Sequence, residues 1–507
     1  MKNLTVKIFV GLFVVATVLL QSCKKDSETY SFLLNERGAF VEEPGGTTSL
    51  GFTAINISSV TPTTVPQGWS VTVDMNERRI SVTAPTTFPD DPKTLADGEE
   101  EEEENTNVRF GTVYLTGRSS GGSSVSTSLY VSLAETVDLT GQPSNCYIIN
   151  KSNARYCIDV TRKGEYTEAT MSPASVAILW ETPYKVIEFP KLVDGKAYFY
   201  HAIGTDDDEK EFFNHGNALL GAFDAAGNLL WSWHLWCAEF DPADEQVELG
   251  GEVMMKRNLG AGVVSGTSEE DILASYGVYY QWGRKDPFPG TTAFTIMNED
   301  YTYEVDGEPE VYGIDNRVLP KFGLTAEFHG TIEKSIQNPA VFYAMTYKHT
   351  GVEDEYGEEI VENDYKTGDW VDVSNDDYWG GESRKKTIYD PCPVGYKVPV
   401  CDADGNTPYA WLVYTVGKWD EANRGFEQEG QWFPTTGTRA YASGGLDYTE
   451  ANPYSGLWIG TKGKASDNLE LYPDLYGQYM FIIDSKRMLK VSKDKRSQGM
   501  SLRCVKE

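Results

Sequence analysis

Histidine is scarce in this chain, with five among 507 residues, and no two cysteines stand in a C-x-x-C pair. A zinc cluster of thiolates and imidazoles therefore has no ligand set to draw on. Neither a G-x-S-x-G elbow nor an H-E-x-x-H pair occurs, which removes the local signatures of an α/β-hydrolase nucleophile and of a zinc protease. Basic residues are also in deficit: 44 Lys and Arg face 76 Asp and Glu, a formal charge of -32. That balance repels phosphate backbones, so nucleic acid is excluded as a partner, as is adhesion to anionic lipid through a basic face. Acidic residues are so numerous that no two single themselves out as a glycosidase pair. His201, His215, His234, His329 and His349 are scattered and read as structural. Nothing declares a catalytic chemistry, and the expectation is a non-enzymatic protein.

No apolar run is long enough to span a bilayer. The one near the start, Ile8 to Leu20, follows Lys2 and Lys7 and stops at Leu20-Gln21-Ser22-Cys23. A positive n-region, a short apolar core and a small residue before cysteine form the bacterial lipoprotein arrangement. Residues 1–22 are expected to be a signal peptide and Cys23 the lipidated first residue of a mature chain that is anchored to a membrane without crossing it. Residues 23–30 read as a tether. The run Lys24-Lys25-Asp26-Ser27-Glu28 resembles the charged signal that sends Bacteroidetes lipoproteins to the outer face of the outer membrane, which implies outward display.

Roughly 480 residues after Cys23 are too many for one ordinary core, and two to four domains are expected. Twelve Trp, thirty Tyr and forty-eight Gly fit a turn-rich, strand-rich exported protein. Residues 31–136 show alternating or β-branched runs at Ser49–Ile57, Trp69–Met75, Arg79–Ala84, Val108–Thr116 and Ser124–Leu133, with turns such as Pro44-Gly45-Gly46 between them. The spacing predicts a β-sandwich of about 100 residues. Glu99 to Glu104 form a like-charged run that reads as a solvated loop. Together Trp69 and this pattern resemble the immunoglobulin-like spacers of bacterial surface proteins, although no cysteine pair links the sheets.

Residues 137–250 form a second β-rich segment. Its run Leu229-Leu230-Trp231-Ser232-Trp233-His234 alternates, so Trp231 and Trp233 share one strand face, as core or as a sugar-stacking platform, and Ser232 and His234 share the other. Six cysteines besides Cys23 allow 15 complete pairings in an oxidising compartment. Cys146 and Cys157 flank the polar stretch Asn150–Arg155, an arrangement compatible with a cross-strand bridge.

The third segment, 251–507, carries Met255-Lys256-Arg257-Asn258-Leu259-Gly260, then Tyr279-Tyr280-Gln281-Trp282-Gly283-Arg284-Lys285-Asp286-Pro287-Phe288, Tyr389-Asp390-Pro391-Cys392-Pro393-Val394-Gly395-Tyr396, and a closing Ser501-Leu502-Arg503-Cys504-Val505. As a set these motifs resemble the Fibrobacter succinogenes major paralogous domain of exported and fimbria-associated lipoproteins. Ser144-Asn145-Cys146-Tyr147, Gly216-Asn217-Ala218 and Trp233-His234 look like the region that precedes that domain. The resemblance covers roughly residues 140 to 507 and implies a C-type-lectin-like head in which the termini meet in a small sheet. It also implies a bridge between Cys392 and Cys504, whose loop of about 110 residues stabilises by roughly 4 to 5 kcal/mol on the chain-entropy account. Cys237 and Cys401 are then left over, bridged to each other or free.

The expected fold is thus mainly β with some α: an immunoglobulin-like β-sandwich, a second β-rich segment and an α+β lectin-like head. Aromatic faces for C–H surfaces, with carboxylates or amides for hydroxyls, give the ligand-binding candidates Trp282, Arg284, Asp286, Asn375, Asp376, Trp379, Trp432, Arg439 and Trp458. The competing structural reading makes the Tyr-Gln-Trp-Gly-Arg-Lys-Asp-Pro-Phe run a turn, with Arg284 paired to Asp286 and Pro287 and Pro289 ending a helix. Calcium lectins of this fold carry Glu-Pro-Asn or Gln-Pro-Asp and Trp-Asn-Asp triplets, absent here. Ser374–Asp377 and Asp402–Asn406 offer oxygen ligands for calcium but complete no EF-hand, and no other cofactor or metal is implied. The functional expectation is a surface adhesin or display module for a glycan or protein. A structural part of a fimbria or outer-membrane assembly is one alternative, and a glycan-active or protein-modifying enzyme is another.

Overall fold

The computed structural model describes residues 29–507 except 90–105, 166–169, 206–209, 250, 293–307, 314–325, 329, 345–346, 354–358, 364–368, 403–408, 410–416, 421, 448–453, 464–475 and 484–487. Cys23, most of the tether, the glutamate run and residues 403–406 lie outside the described residues.

Eight strands follow Tyr30: β1 (Ser31–Leu34), β2 (Gly38–Val41), β3 (Thr47–Ile55), β4 (Ser59–Thr64), β5 (Ser70–Asp74), β6 (Arg79–Thr83), β7 (Phe110–Arg118) and β8 (Ser124–Leu133). They make two four-stranded sheets, ordered β1-β3-β6-β5 and β2-β8-β7-β4. Alternation drives the sandwich: in β3, Leu50, Phe52 and Ala54 are buried while Thr47, Ser49 and Thr53 face water. The inward residues meet Trp69, Val82, Leu115 and Val131 in one core. The five strands legible in the sequence appear with ends shifted by no more than about two residues. The short β1, β2 and β4 were not legible; β4 contains Pro62, which weakens a strand signal.

A second sandwich follows directly, from β9 (Thr136–Asp138), β10 (Cys146–Ile149), β11 (Ala154–Asp159), β12 (Ser175–Thr182), β13 (Ile187–Val193), β14 (Lys196–His201), β17 (Gly216–Phe223) and β18 (Leu229–Cys237), with a hairpin of β15 (Ile203–Thr205) and β16 (Glu211–Phe213) inserted. Its sheets run β10-β18-β17-β12 and β13-β14-β11-β9. The two sandwiches join through Tyr130 and Tyr200, whose hydroxyls lie 3.0 Å apart, and through Phe40 and Phe189, 5.7 Å apart.

Strand β18 decides how the rest is built. Trp231, Trp233, Leu235 and Cys237 fill the core of the second sandwich, so the tryptophan stripe is core. The opposite face presents Ser232, His234 and Trp236 to the third segment, where Trp236 donates to Ala261 O at 2.9 Å and packs with Met255, Trp282 and Trp458. The second sandwich and the head therefore share a wall.

Cys146 and Cys157 do not bridge; both are free and buried, as are Cys237 and Cys401. The reason is strand assignment: Cys146 sits on β10 opposite His234 of β18, whereas Cys157 sits on β11 opposite Tyr198 of β14, in the other sheet.

In the head, β19 (Gln246–Leu249) pairs with β20 (Glu252–Met255), which pairs with Val505–Lys506, which pairs in turn with Tyr396–Lys397. The two ends of the segment thus meet in one sheet, and a disulfide between Cys392 and Cys504 lies beside it, with Cα atoms 6.0 Å apart. Two six-residue helices, Glu269–Ala274 and Ile332–Gln337, are the α-helices among the described residues. The chain is a mainly β protein with little helix, organised as several sheet modules.

Candidate functional site

Most of the residues singled out as ligand contacts are interior. Trp282, Arg284, Asp286, Trp379, Arg439 and Trp458 are at most 1% exposed. Trp282 Nε1 donates to Ile459 O and Trp458 Nε1 to Tyr280 O, each at 2.8 Å, so their rings tie the core strands together. Arg284 donates to Gln281 Oε1, Val341 O and Pro339 O and does not pair with Asp286. That carboxylate is bound by the neighbouring Lys285 at 2.6 Å and by Ser232 Oγ at 2.7 Å. Burial pulls the Lys285 ammonium down to about 8, against the raising effect of Asp286. The residues before Pro287 are the short strand Tyr280–Gln281 and a turn at Gly283, whose φ is +84°, with no helix to end. The Gly-Arg-Lys-Asp run is therefore a buried polar seam: Lys285 and Asp286 both bond Ser232 of β18, while Arg284 bonds the carbonyls of Pro339 and Val341.

Arg439 grips Glu308 through both terminal nitrogens, at 3.0 and 2.9 Å. Asn375 is exposed and its Oδ1 accepts from Asp377 N at 2.8 Å. Asp376 is held by Arg496 and by Lys462 at 2.9 Å, which lower its carboxyl against the raising effect of burial. These oxygens are committed to cations and turn amides, and among the described residues no three His, Cys, Asp or Glu side chains cluster as a metal site.

Trp432 is different: it is only partly buried and lines an open cleft of about 430 Å³ with Glu245, Lys256, Val264, Ser265 and Glu427. The local sequence explains its posture. The strands 425–428 and 431–434 are joined by Glu429-Gly430, both at positive φ (51° and 72°), the two-residue turn that matches strand twist. Register then places Glu427 directly opposite Trp432 on one face. A Cβ added at Gly425 would lie 2.2 Å from the indole, so the ring rests against bare backbone there. Behind it, Arg503 donates to Trp432 O at 2.8 Å; burial lowers that guanidinium to about 10.

The far wall comes from the start of the head. Arg257, stacked on Phe240 at 4.2 Å, donates to both oxygens of Glu245, at 2.5 and 2.7 Å. A bidentate guanidinium fixes the orientation of a carboxylate and leaves its remaining lone pairs as acceptors. Glu427 stands exposed on the opposite rim. The cleft thus offers one flat apolar face, two carboxylate acceptors and the Lys256 ammonium, a set suited to holding hydroxyl groups and C–H surfaces. Of the sequence candidates only Trp432 reaches it. Glu245 and Lys256 lie more than one hundred positions away in the chain, with no local motif to reveal them, and the 425–434 hairpin that sets the posture of Trp432 was not read from the sequence either.

A second constellation escaped the sequence reading altogether. Cys146 Sγ lies 3.5 Å from His234 Nδ1, and His234 Nε2 lies 2.9 Å from Asn217 Oδ1. Thiol, imidazole and amide stand in the order of a cysteine-hydrolase relay. Burial lowers His234 to about 3 and raises the Cys146 thiol, and both directions oppose a thiolate–imidazolium pair. Cys146 and His234 are each 1% exposed, and the group serves as a polar joint between β10, β17 and β18.

No protein-family model and no curated protein matches the chain. Among solved structures, the human desmocollin-1 ectodomain is 11% identical, covering 42% of this chain and 41% of its own, with a TM-score of 0.15. The Bacteroides ovatus SGBP-B, solved in complex with a mixed-linkage heptasaccharide, is 11% identical over 40% of this chain and 43% of its own, at 0.12. SporoSAG from Toxoplasma gondii is 8% identical over 39% of this chain and 93% of its own, at 0.13. The chain spans well under two thirds of the first two structures' own lengths.

Proposed function

We propose that this chain is a lipid-anchored surface protein that binds a neutral glycan, without transforming it, in the Trp432 cleft. The observation that carries the reading is the indole of Trp432, laid against Gly425 and facing a carboxylate locked by Arg257. A pyranose presents C–H bonds to such a ring and hydroxyls to such acceptors. The formal charge of -32 disfavours uronate or sulfated ligands. Arg257, bound to both oxygens of Glu245, orients that carboxylate as an acceptor for ligand hydroxyls. The ends-together sheet beside the Cys392–Cys504 bridge supports a lectin-like head, and the two consecutive sandwiches support a spacer that holds it away from the membrane.

A glycan array probed with the full chain in detergent should give saturable binding to a neutral glycan. Trp432→Ala should weaken that binding by about tenfold or more, as removal of a central aromatic contact does. Gly425→Ala, which drives a methyl into the ring, should weaken it as well. Unchanged affinity in Trp432→Ala would sink the reading. The anchor is tested separately: Cys23→Ser should move the protein from the membrane to the soluble fraction, and persistent membrane association would refute lipidation at that residue.

A further inference from the structure

On the far side of the loop that walls the Trp432 cleft lies a second concavity. Val264 and Ser265 line the first cleft. Gly262, two residues earlier, lines a groove of about 140 Å³ with Thr182, His215, Gly260, Gly277 and Pro309. Two residues of backbone reach at most about 7 Å, so the two depressions adjoin the same loop. The groove floor is bare main chain because nothing larger fits: a Cβ at Gly277 would lie 2.3 Å from Leu259 O, and one at Gly290 would lie 2.0 Å from Gly277 O.

Two of the groove's lining residues, Thr182 and Pro309, lie close in the chain to an aromatic pair at the surface. Thr182 is two residues from Tyr184, and Pro309 is three residues from Tyr312. The rings of Tyr184 and Tyr312 stand 4.9 Å apart at 44°, and Tyr184 is 43% exposed. One residue organises them. Glu181 exchanges both backbone hydrogen bonds with Tyr312, at 2.8 and 3.0 Å. Its carboxylate accepts from the amides of Lys185 and Ile187, at 3.0 and 3.1 Å, closing the turn that carries Tyr184. The Tyr312 hydroxyl donates to Glu310 at 2.6 Å, so a carboxylate flanks the pair as Glu427 flanks Trp432. Burying Glu181 to 4% exposure to hold two tyrosines at the surface is a costly arrangement for ornament.

We infer that the ligand is a polymer: an extended neutral glycan lying across the loop 260–265, with one sugar on Trp432 and another, several units along, on the Tyr184–Tyr312 pair. This rests on the glycan reading of the Trp432 cleft and adds to it the length of the ligand. Flat aromatic stations separated by a polar, glycine-floored track suit a chain that slides into register, whereas a lone saccharide or a terminal cap needs one station. Binding then grows with chain length because the second contact is made at high effective concentration.

The test uses the full chain in detergent and titrates cello-, xylo-, manno- and malto-oligosaccharides of two and six units by calorimetry. In the series that binds, the six-unit ligand should bind at least about tenfold more tightly than the two-unit ligand. Tyr184→Ala should remove that gain while leaving the two-unit affinity unchanged, and Trp432→Ala should weaken both. Tyr184 is exposed, so its removal should leave the melting temperature in place and keep the comparison interpretable. Equal affinity at two and six units, or a six-unit affinity untouched by Tyr184→Ala, would overturn the polymer proposal and leave the Trp432 site standing. Binding lost in Tyr184→Ala but indifferent to Trp432→Ala, or no binding in any series, would overturn both.

Discussion

Replacing Cys392 and Cys504 together by serine should lower the stability of the head by about 4–5 kcal/mol. The bridge closes a loop of 112 residues, so its loss returns a large conformational entropy to the unfolded chain. Both sulfurs are fully buried, among Trp236, Met255, Tyr280 and Leu502, so two hydroxyls would also replace apolar atoms in a tight core. The position magnifies the effect. Cys504 O accepts from Met255 N at 3.0 Å, which ties the closing strand to β20, and Ser144 Oγ donates to Cys392 O at 3.1 Å, which ties the bridge to the second sandwich. Unfolding of a unit this size shifts by about 2–4 °C per kcal/mol, so the midpoint should fall by about 8–20 °C on that scale. Reductant should lower the wild-type midpoint by a similar amount and leave the double variant unmoved. A variant that melts with the wild type would show that the bridge is dispensable.

How far the sequence could be read depends on whether the signal was local. Strands of the first sandwich were legible because Leu50, Phe52 and Ala54, or Val113 and Leu115, alternate with polar neighbours over five or more residues. The tryptophan stripe of β18 was legible for the same reason, and its alternate face correctly pointed Ser232 and His234 elsewhere. The destination of that second face was not legible, because contacts such as Ser232 with Asp286 join positions 54 residues apart. Chemistry-bearing residue types misled most in the head. Arg284, Asp286, Trp379 and Arg439 have the composition of a binding site, but each is packed inside the fold. Buried networks and sites draw on the same side chains, and burial, which separates them, is a property of the packed chain. Trp432 shows the converse: a glycine two strand positions before its cross-strand partner leaves room for an exposed ring, a clue visible only once the hairpin register is known.

The same distinction makes Arg496→Ala the most informative variant of the acidic 369–379 stretch. Arg496 is fully buried, lies 4.1 Å over the Trp282 ring, and bonds Asp369 at 3.3 Å as well as Asp376. Asp369 is itself fully interior, with burial raising its carboxyl and Arg496 pulling it back down. Removing the arginine strands that charge in the core, a loss of about 3–5 kcal/mol in comparable cases. The sign of the pH response follows. Without its partner, Asp369 in the folded chain holds its proton more tightly than in the unfolded chain, so the variant's deficit should be full at neutral pH and shrink as pH falls through the raised value. Adding Asp369→Asn removes the stranded charge and should recover part of the loss at pH 7, with little further gain on acidification; a double-mutant cycle measures that coupling directly. If the acidic stretch instead faced a ligand, Arg496→Ala would leave the melting midpoint where it was and move only binding. Strictly additive losses from the two substitutions would likewise show that Arg496 and Asp369 are not a pair. The expected outcome, large coupling in stability and none in glycan affinity, would assign Asp376 and Trp379 to the framework and leave ligand recognition to the surface that runs from Trp432 to Tyr184.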